Sequence, residues 1–391
     1  MKKQFMLKWL IALTTASMLA GALYLRHVSK IENPPIENPS PGNWETSEYM
    51  IGSVAVGIIF LESNGAIDSN AEDWNVTEEQ NVVDKIHIAL DWWAAQNPDA
   101  NVSFITEIHY RVPTNYEPIN RTLGDMVLWI SEALNYLGYR GEDWDFQRRN
   151  YVNDLRKRLN TDWAFIMFIV DASNDPDGRY ADGSWTTASF GGPSLQIPFK
   201  TSRILEWLAA HEVAHVFWAT DEYNGETELS GYLNVPDAEG SDCLMRTPIS
   251  GCLSGKAHGL NGTWGQVGWR DSDGDGIQDI VDTFPRIYLE PPEISQKTTK
   301  YAGVAAVTPC PNNNPIGRKD VTINKIKNIE FRVDSSSWTS AIPTDGSFGD
   351  AIESFAFTED LEPGDHFIEV KAINNWGNEG FTNQTVTIPE F

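Results

Sequence analysis

His211-Glu212-Val213-Ala214-His215-Val216-Phe217-Trp218-Ala219-Thr220-Asp221-Glu222-Tyr223 is the stretch on which the reading of this chain turns. On a helix, His211 and His215 lie one turn apart and about 40° round the axis from each other, so both imidazoles reach one metal ion. Glu212 stands about 100° round from His211, beside the ion, where its carboxylate can take a proton from water. A structural metal site is closed by a fourth protein ligand, whereas two histidines and one carboxylate leave a position open. The third ligand should therefore be acidic and near. Asp221, six residues past His215, is the first acidic residue after the pair, with Glu222, Glu226 and Glu228 as alternatives.

The spacing H-E-x-x-H-x-x-x-x-x-D-E-Y resembles two related groups of zinc metallopeptidases, the metzincins and the immune inhibitor A family. The resemblance implies that His211, His215 and Asp221 hold Zn²⁺ and that Glu212 is the general base of peptide hydrolysis. In those families the residue three past the second histidine is usually glycine, which turns the chain through positive φ. Here it is Trp218. Cys243-Leu244-Met245-Arg246-Thr247-Pro248 resembles the Met-turn, in which Met245 would form an apolar floor beneath the ligands. By the order of elements, 180–193 corresponds to the edge strand that binds substrate backbone as an added strand, and an ordinary surface hairpin is its plainer reading.

A second metal signal lies at 269–287. Asp271, Asp273 and Asp275 fall at positions 1, 3 and 5 of a calcium loop and Gly276 at the sharp turn of position 6. Ile277, Asp279 and Asp282 follow at positions 7, 9 and 12. The pattern resembles EF-hand, thrombospondin type 3 and dockerin loops, which implies Ca²⁺ and a role as a staple between domains.

A net charge of −26 argues against nucleic acid and anionic membrane surfaces as partners, because both are bound through Lys and Arg. Lys2, Lys3 and Lys8 precede an apolar run from Trp9 to Leu25, so 1–30 read as a signal peptide or a retained membrane anchor, and the rest as secreted or held at the outer face of the cell. Export permits a disulfide. Cys243 and Cys252 are spaced to close a small loop, leaving Cys310 as a small buried apolar residue.

Residues 31–48 are proline-rich and read as an extended spacer. From 49 to 268 continuous apolar strands at 53–61 and 163–170 alternate with helices at 77–96, 122–138, 143–160 and 201–218. That order predicts an α/β (α+β) catalytic domain of the metzincin type, with a mixed sheet and the metal helix packed on it. Thr77-x-x-Gln80 is the expected capping box of the first helix, and Thr201 or Ser202 the N-cap of the metal helix. From 288 onward short alternating segments at 321–323, 329–333, 355–357, 366–372 and 385–388 predict an all-β sandwich resembling immunoglobulin-like domains. With its own core, that domain should be removable at residue 290 without loss of peptide cleavage.

The expected activity is that of an exported zinc endopeptidase acting on proteins or peptides. Two rivals stand beside it: a surface-binding or adhesion protein with a vestigial zinc site, and a zinc hydrolase acting on a glycopeptide. The C-terminal domain would serve as spacer or as a surface- or glycan-binding module.

Overall fold

Ser53–Ser63 forms β1, and its unbroken apolar run follows from helices covering both of its faces. Val54, Val56, Ile58 and Phe60 point into one core, Ala55, Ile59 and Leu61 into a second on the opposite side. After β1 come α1 (Val76–Gln96), β2 (Ser103–Thr114), α2 (Met126–Tyr136), α3 (Trp144–Leu159), β3 (Trp163–Asp171), β4 (Thr187–Ala188), β5 (Ser194–Phe199) and α4 (Leu205–Val216). The sheet order is β2-β1-β3-β5-β4, with the first four strands parallel and β4 antiparallel at the edge. β3 alternates as β1 does: Trp163, Phe165, Met167 and Ile169 share the core of α1 and α4, while Ala164, Ile166, Phe168 and Val170 share that of α2 and α3. The computed structural model describes residues 36–141, 143–200, 204–223, 227–237, 243–246, 262–317 and 319–390.

The expected α/β arrangement is present, with adjustments whose causes are local. The capping box of α1 is Asn75 and Glu78 rather than Thr77 and Gln80: Asn75 Oδ1 accepts from the N–H groups of Thr77 and Glu78, both at 3.1 Å. Asparagine caps as well as threonine does, and starting two residues earlier brings Glu78 to the position that answers the cap. The metal helix spans Leu205–Val216, shorter than expected, and Thr201 and Ser202 lie outside the described residues, as do 1–30 and Cys252. Among the described residues no helix is long and apolar enough to cross a membrane.

The second half of the proline-rich stretch is packed, not a free spacer. Glu45, Thr46, Ser47 and Glu48 are buried, and Thr46 O accepts from Ala164 N at 3.0 Å. Proline leaves no N–H but an exposed carbonyl, and α3 supplies donors for those carbonyls: Arg156 to Pro41 O and Gly42 O, Asn153 to Asn43 O.

Beyond α4 come a two-stranded ribbon, β6 (Leu229–Ser230) and β7 (Val235–Pro236), and the single turn α5 (Thr263–Gln266). The C-terminal strands are β8 (Arg286–Leu289), β9 (Glu293–Ser295), β10 (Thr298–Ala306), β11 (Ile326–Val333), β12 (Thr339–Ser340), β13 (Ile342–Pro343), β14 (Ile352–Asp360), β15 (Gly364–Asn374) and β16 (Glu379–Ile388). They form two antiparallel sheets, β13-β14-β10-β8 with β9 on β10, and β12-β11-β15-β16. Both feed one core, Tyr301, Phe355 and Phe357 from the first, Phe331, Ile368 and Val370 from the second.

The expected strand at 321–323 does not form. Val321 and Ile323 instead enter the first core, beside Tyr49 and Tyr232. Tyr232 Oη donates to Cys310 O at 2.8 Å and accepts from Val321 N at 2.9 Å, and Tyr49 Oη accepts from Ile323 N at 3.2 Å. The chain from Pro39 to Phe391 is accordingly one compact unit, and a cut near 288 passes through shared packing.

Burial at the C-terminal ends of β1 and β3 gives the fold a pH dependence. Burial above all pushes Glu62 and Glu117 up to about 7 and Asp171 up to about 6, with Glu72 adding repulsion on the last two. Folded-state values above those of the unfolded chain stabilise the fold fully below about pH 4, and the contribution is lost as pH rises through about 6–7. The gain in melting temperature on going from about pH 8 to about pH 5.5 should therefore shrink in Glu117→Gln. Identical pH dependence in parent and variant would show that this cluster does not titrate as a folded-state group.

Candidate metal centre

α4 is buried at every position except Glu206, His211, Glu212 and His215 included. Small side chains allow this: Ala209, Ala210 and Ala214 let α1 approach closely, and Trp93 Nε1 donates to Ala210 O at 2.9 Å, one residue before the first histidine. The helix ends at Val216, and the chain reverses at Trp218 with φ +73°. A non-glycine residue in this region costs about 1–2 kcal/mol. The indole offsets that, since losing a buried tryptophan costs about 3–5 kcal/mol. Ser230 Oγ donates to Trp218 O at 2.6 Å and Trp218 N donates to His215 O at 2.9 Å, fixing the turn. Tryptophan thus makes the reversal that glycine makes in the resembling families.

Room for the indole comes from Gly191. A Cβ there would overlap Trp218 Cζ2, and Gly191 itself has φ +67°. Gly191→Ala should lower the melting temperature and weaken metal retention. In the double variant with Trp218→Gly the steric part should be relieved, leaving a backbone penalty of about 1 kcal/mol plus the loss of indole packing. Equal metal affinity in Gly191→Ala and parent would sever this link between turn and site.

The turn delivers Asp221 to the histidines. Asp221 Oδ1 lies 3.1 Å from His211 Nε2 and 3.5 Å from His215 Nε2, and the two Nε2 atoms are 3.1 Å apart. His211 Nδ1 faces Leu244 O at 3.2 Å and His215 Nδ1 faces Ala219 O at 2.7 Å. A carbonyl only accepts, so each Nδ1 carries the proton and each Nε2 presents a lone pair. Two lone pairs and a carboxylate oxygen then meet at one point, and Asp221 Oδ1 is buried without a hydrogen-bond partner. A cation resolves this. A four-coordinate ion about 2.0–2.1 Å from each ligand places ligand atoms about 3.3 Å apart, the size of the triangle observed.

With no ion bound, a proton on an imidazole takes the ion's place against the carboxylate, and the titration of the metal-free site follows that state. Burial pushes the Asp221 carboxyl up, but the two imidazoles hold it well below the usual carboxylate range. Burial pulls the His215 imidazolium down, and Asp221 and Glu212 more than reverse the effect. Tyr223 Oη donates to Asp221 Oδ2 at 2.7 Å and is pushed up to about 12, by burial first and then by Asp221, so it stays protonated.

Glu222, the alternative third ligand, is directed elsewhere: its Oε1 accepts from Cys243 Sγ and Thr263 Oγ1, both at 3.1 Å. Cys243 is a buried free thiol, and Cys252, its expected partner in a bridge, lies outside the described residues. Met245 is fully buried, and its carbonyl accepts from Glu222 N at 2.9 Å. The turn at Cys243–Arg246 therefore touches the centre through backbone groups on both sides of Met245, a contribution that side-chain identities do not reveal. Glu226 lies outside the described residues.

A cleft of about 420 Å³ opens over the three ligand atoms and Glu212. β4 borders it, with Trp185 to Ala188 along one wall, at the edge of the sheet as expected. Trp207 and Phe190 flank the imidazoles, with ring centroids 4.9 Å from His211 and 5.0 Å from His215. Sequence reading did not single these two out, because an aromatic residue near a metal helix is first of all a core residue.

No protein-family model and no curated protein matches this chain. Among solved structures, OgpA from Akkermansia muciniphila in complex with an O-glycopeptide substrate aligns over 92% of this chain and 96% of its own, at 9% identity and a TM-score of 0.26. The PKD1 domain of the Vibrio cholerae metalloprotease PrtV aligns over 28% of this chain and all of its own, at 10% identity and a TM-score of 0.17. Sulfane dehydrogenase SoxCD from Paracoccus pantotrophus aligns over 30%, at 13% identity and a TM-score of 0.21, this chain spanning about a third of it (33%). Superpositions this loose leave the reading of the site to its own chemistry.

In the acidic loop Asp271, Asp273 and Asp275 are gathered within reach of one ion. Asp271 accepts from Gly274 N and Gly276 N, and these bonds hold its carboxyl low. Burial raises Asp282, as do Asp275 and Asp273, which sets it beside the cluster. Asp279 is turned to Ser272 and Arg270. The backbone at Ile277 is tied to Asp275 Oδ1 through its N–H, at 2.8 Å.

Proposed function

We propose that this chain is an exported zinc peptidase whose site is His211, His215, Asp221 and Glu212. The observation that carries the reading is the convergence of His211 Nε2, His215 Nε2 and Asp221 Oδ1 on one point that opens into a cleft also lined by Glu212. Two imidazoles and one carboxylate with a free position suit zinc, which when bound supplies Lewis-acid polarisation of a carbonyl and of water. Glu212 is the proton acceptor: a carboxylate oxygen takes the proton of the attacking water and returns it to the nitrogen of the departing amine. Tyr223, protonated across the neutral range, gives its one proton to Asp221 Oδ2 in this structure and would serve the oxygen that gains charge only by turning away from that carboxylate. The free edge of β4 supports binding of the substrate backbone as an added strand. A glycopeptide substrate is the second form of the same chemistry.

The acidic loop is proposed as a calcium site, the two C-terminal sheets as an immunoglobulin-like sandwich serving as spacer or surface- and glycan-binding module, and 1–30 as the export signal or anchor. Domain limits at 49–268, 269–287 and 288–391 belong to the same proposal, with Cys310, Val321 and Ile323 packing on the first of these.

One experiment tests both metals. The full chain is stripped with a chelator and receives zinc, calcium or both, and new termini in a mixed peptide and glycopeptide pool are read by mass spectrometry. Cleavage should return with zinc, and calcium should raise the melting temperature without restoring cleavage. No new termini with zinc restored defeats the peptidase reading, and an unmoved melting temperature defeats the calcium loop.

A further inference from the structure

Residues three apart on a helix share a face, so Thr263 and Gln266 of the single turn α5 lie side by side, and both are fully buried. They reach the two neighbours of Asp221. Thr263 Oγ1 donates to Glu222 Oε1 at 3.1 Å, and Gln266 Oε1 accepts from Thr220 N at 2.8 Å and from Thr220 Oγ1 at 3.1 Å. The other end of the amide is engaged as well: Gln266 Nε2 donates to Glu228 O and Val235 O, both at 3.3 Å, at the two strands of the β6–β7 ribbon. Gly231, with φ +78°, lets the ribbon lie this close, since a Cβ there would overlap Gln266 O.

A backbone N–H only donates and a carbonyl only accepts, so these partners leave the amide one orientation and use its acceptor and donor sides in full. No other side chain of this size would serve. An apolar one leaves Thr220 N, Glu228 O and Val235 O without this partner, and a carboxylate turns an oxygen towards two carbonyls. A buried polar group satisfied on all sides fixes one arrangement of what surrounds it. What surrounds Gln266 is the loop that carries the third ligand. Thr220 N is tied to Gln266 and Glu222 N to Met245 O, so the backbone is held on either side of Asp221, while the ribbon that anchors Gln266 also binds Trp218 O through Ser230 Oγ.

We infer that Gln266 is a positioning residue of the metal centre, setting through the backbone of Thr220 where Asp221 Oδ1 stands against the two imidazoles. The inference rests on the reading of His211, His215 and Asp221 as metal ligands, and it is independent of the reaction catalysed. Groups that orient a ligand from behind are worth about 10–100-fold in metal affinity, so α5, which supplies no ligand, is part of the site.

The test uses the full chain, stripped of metal and titrated with zinc against a competing chelator, and separately with cobalt(II), whose visible spectrum reports ligand number and geometry. Gln266→Met keeps the shape and loses every bond of the amide. Gln266→Asn keeps an amide that is one methylene too short to span Thr220 and the ribbon, and it carries the comparison alone should Gln266→Met not fold. Both should bind zinc about 10–100-fold more weakly than the parent and change the shape of the cobalt spectrum. Thr263→Val is the control: it removes a bond to the Glu222 side chain and none to the loop backbone, so it should lower the melting temperature and leave zinc affinity and spectrum as in the parent. Parent affinity and spectrum in the Gln266 variants overturn the inference. Equal weakening in Thr263→Val overturns it too, because the loss would then be one of general stability. A parent that takes up neither metal defeats the metal reading itself, and the inference with it.

Discussion

Glu212→Gln should lower peptide turnover by about 10²–10⁴-fold while the protein folds and keeps near-stoichiometric zinc, because it removes a proton acceptor and no metal bond. Asp221→Ala should fail differently. It deletes the oxygen that stands 3.1 and 3.5 Å from the two Nε2 atoms, so zinc retention itself falls. Glu222→Ala separates the two acidic neighbours: the carboxylate accepts from Cys243 and Thr263, so its loss should cost stability and leave metal bound. Metal analysis and turnover on the same preparations check all three. Glu212→Gln as active as the parent would end the peptidase proposal, and Glu222→Ala losing zinc while Asp221→Ala keeps it would reassign the third ligand.

Ending the chain after Leu289 should abolish the folded metal-bearing region, contrary to what a self-contained C-terminal domain predicts. Val321 and Ile323 leave the first core with that cut, and each buried side chain of this kind contributes about 1.5–3 kcal/mol. Tyr232 Oη loses Cys310 O and Val321 N, and Tyr49 Oη loses Ile323 N, at about 1–3 kcal/mol for each buried group left unmade. Asn324 and Asn374, which bond to Val281 and Thr283 behind the acidic loop, go too. The total is comparable with the whole stability of an ordinary domain, about 5–15 kcal/mol. Thermal unfolding and zinc content of the shortened chain check this. A soluble, zinc-bound and active product would show that Val321 and Ile323 only decorate the core, and Ile323→Ala should then also be nearly neutral.

The local part of this protein was legible in its residues. Alternation of apolar side chains on β1 and β3 announced a sheet covered on both faces, and histidines four apart announced a shared ligand point, because both follow from the fixed periods of strand and helix. Proximity across the chain was not legible. Asp221 reaches the histidines because Trp218 accepts a left-handed turn that Gly191, 27 residues earlier, leaves room for, and no property of tryptophan alone foretells that. The imidazole protons are oriented by Leu244 O and Ala219 O, backbone atoms that every residue type carries alike. The Cys243 thiol donates to the Glu222 carboxylate, a contact made by what lies nearby in space and not by sequence spacing. Val321-Thr322-Ile323 shows the same limit: its β-branched pattern asks for burial with equal force in a strand of the C-terminal sheets or against Tyr49 and Tyr232, and only the packed structure decided which.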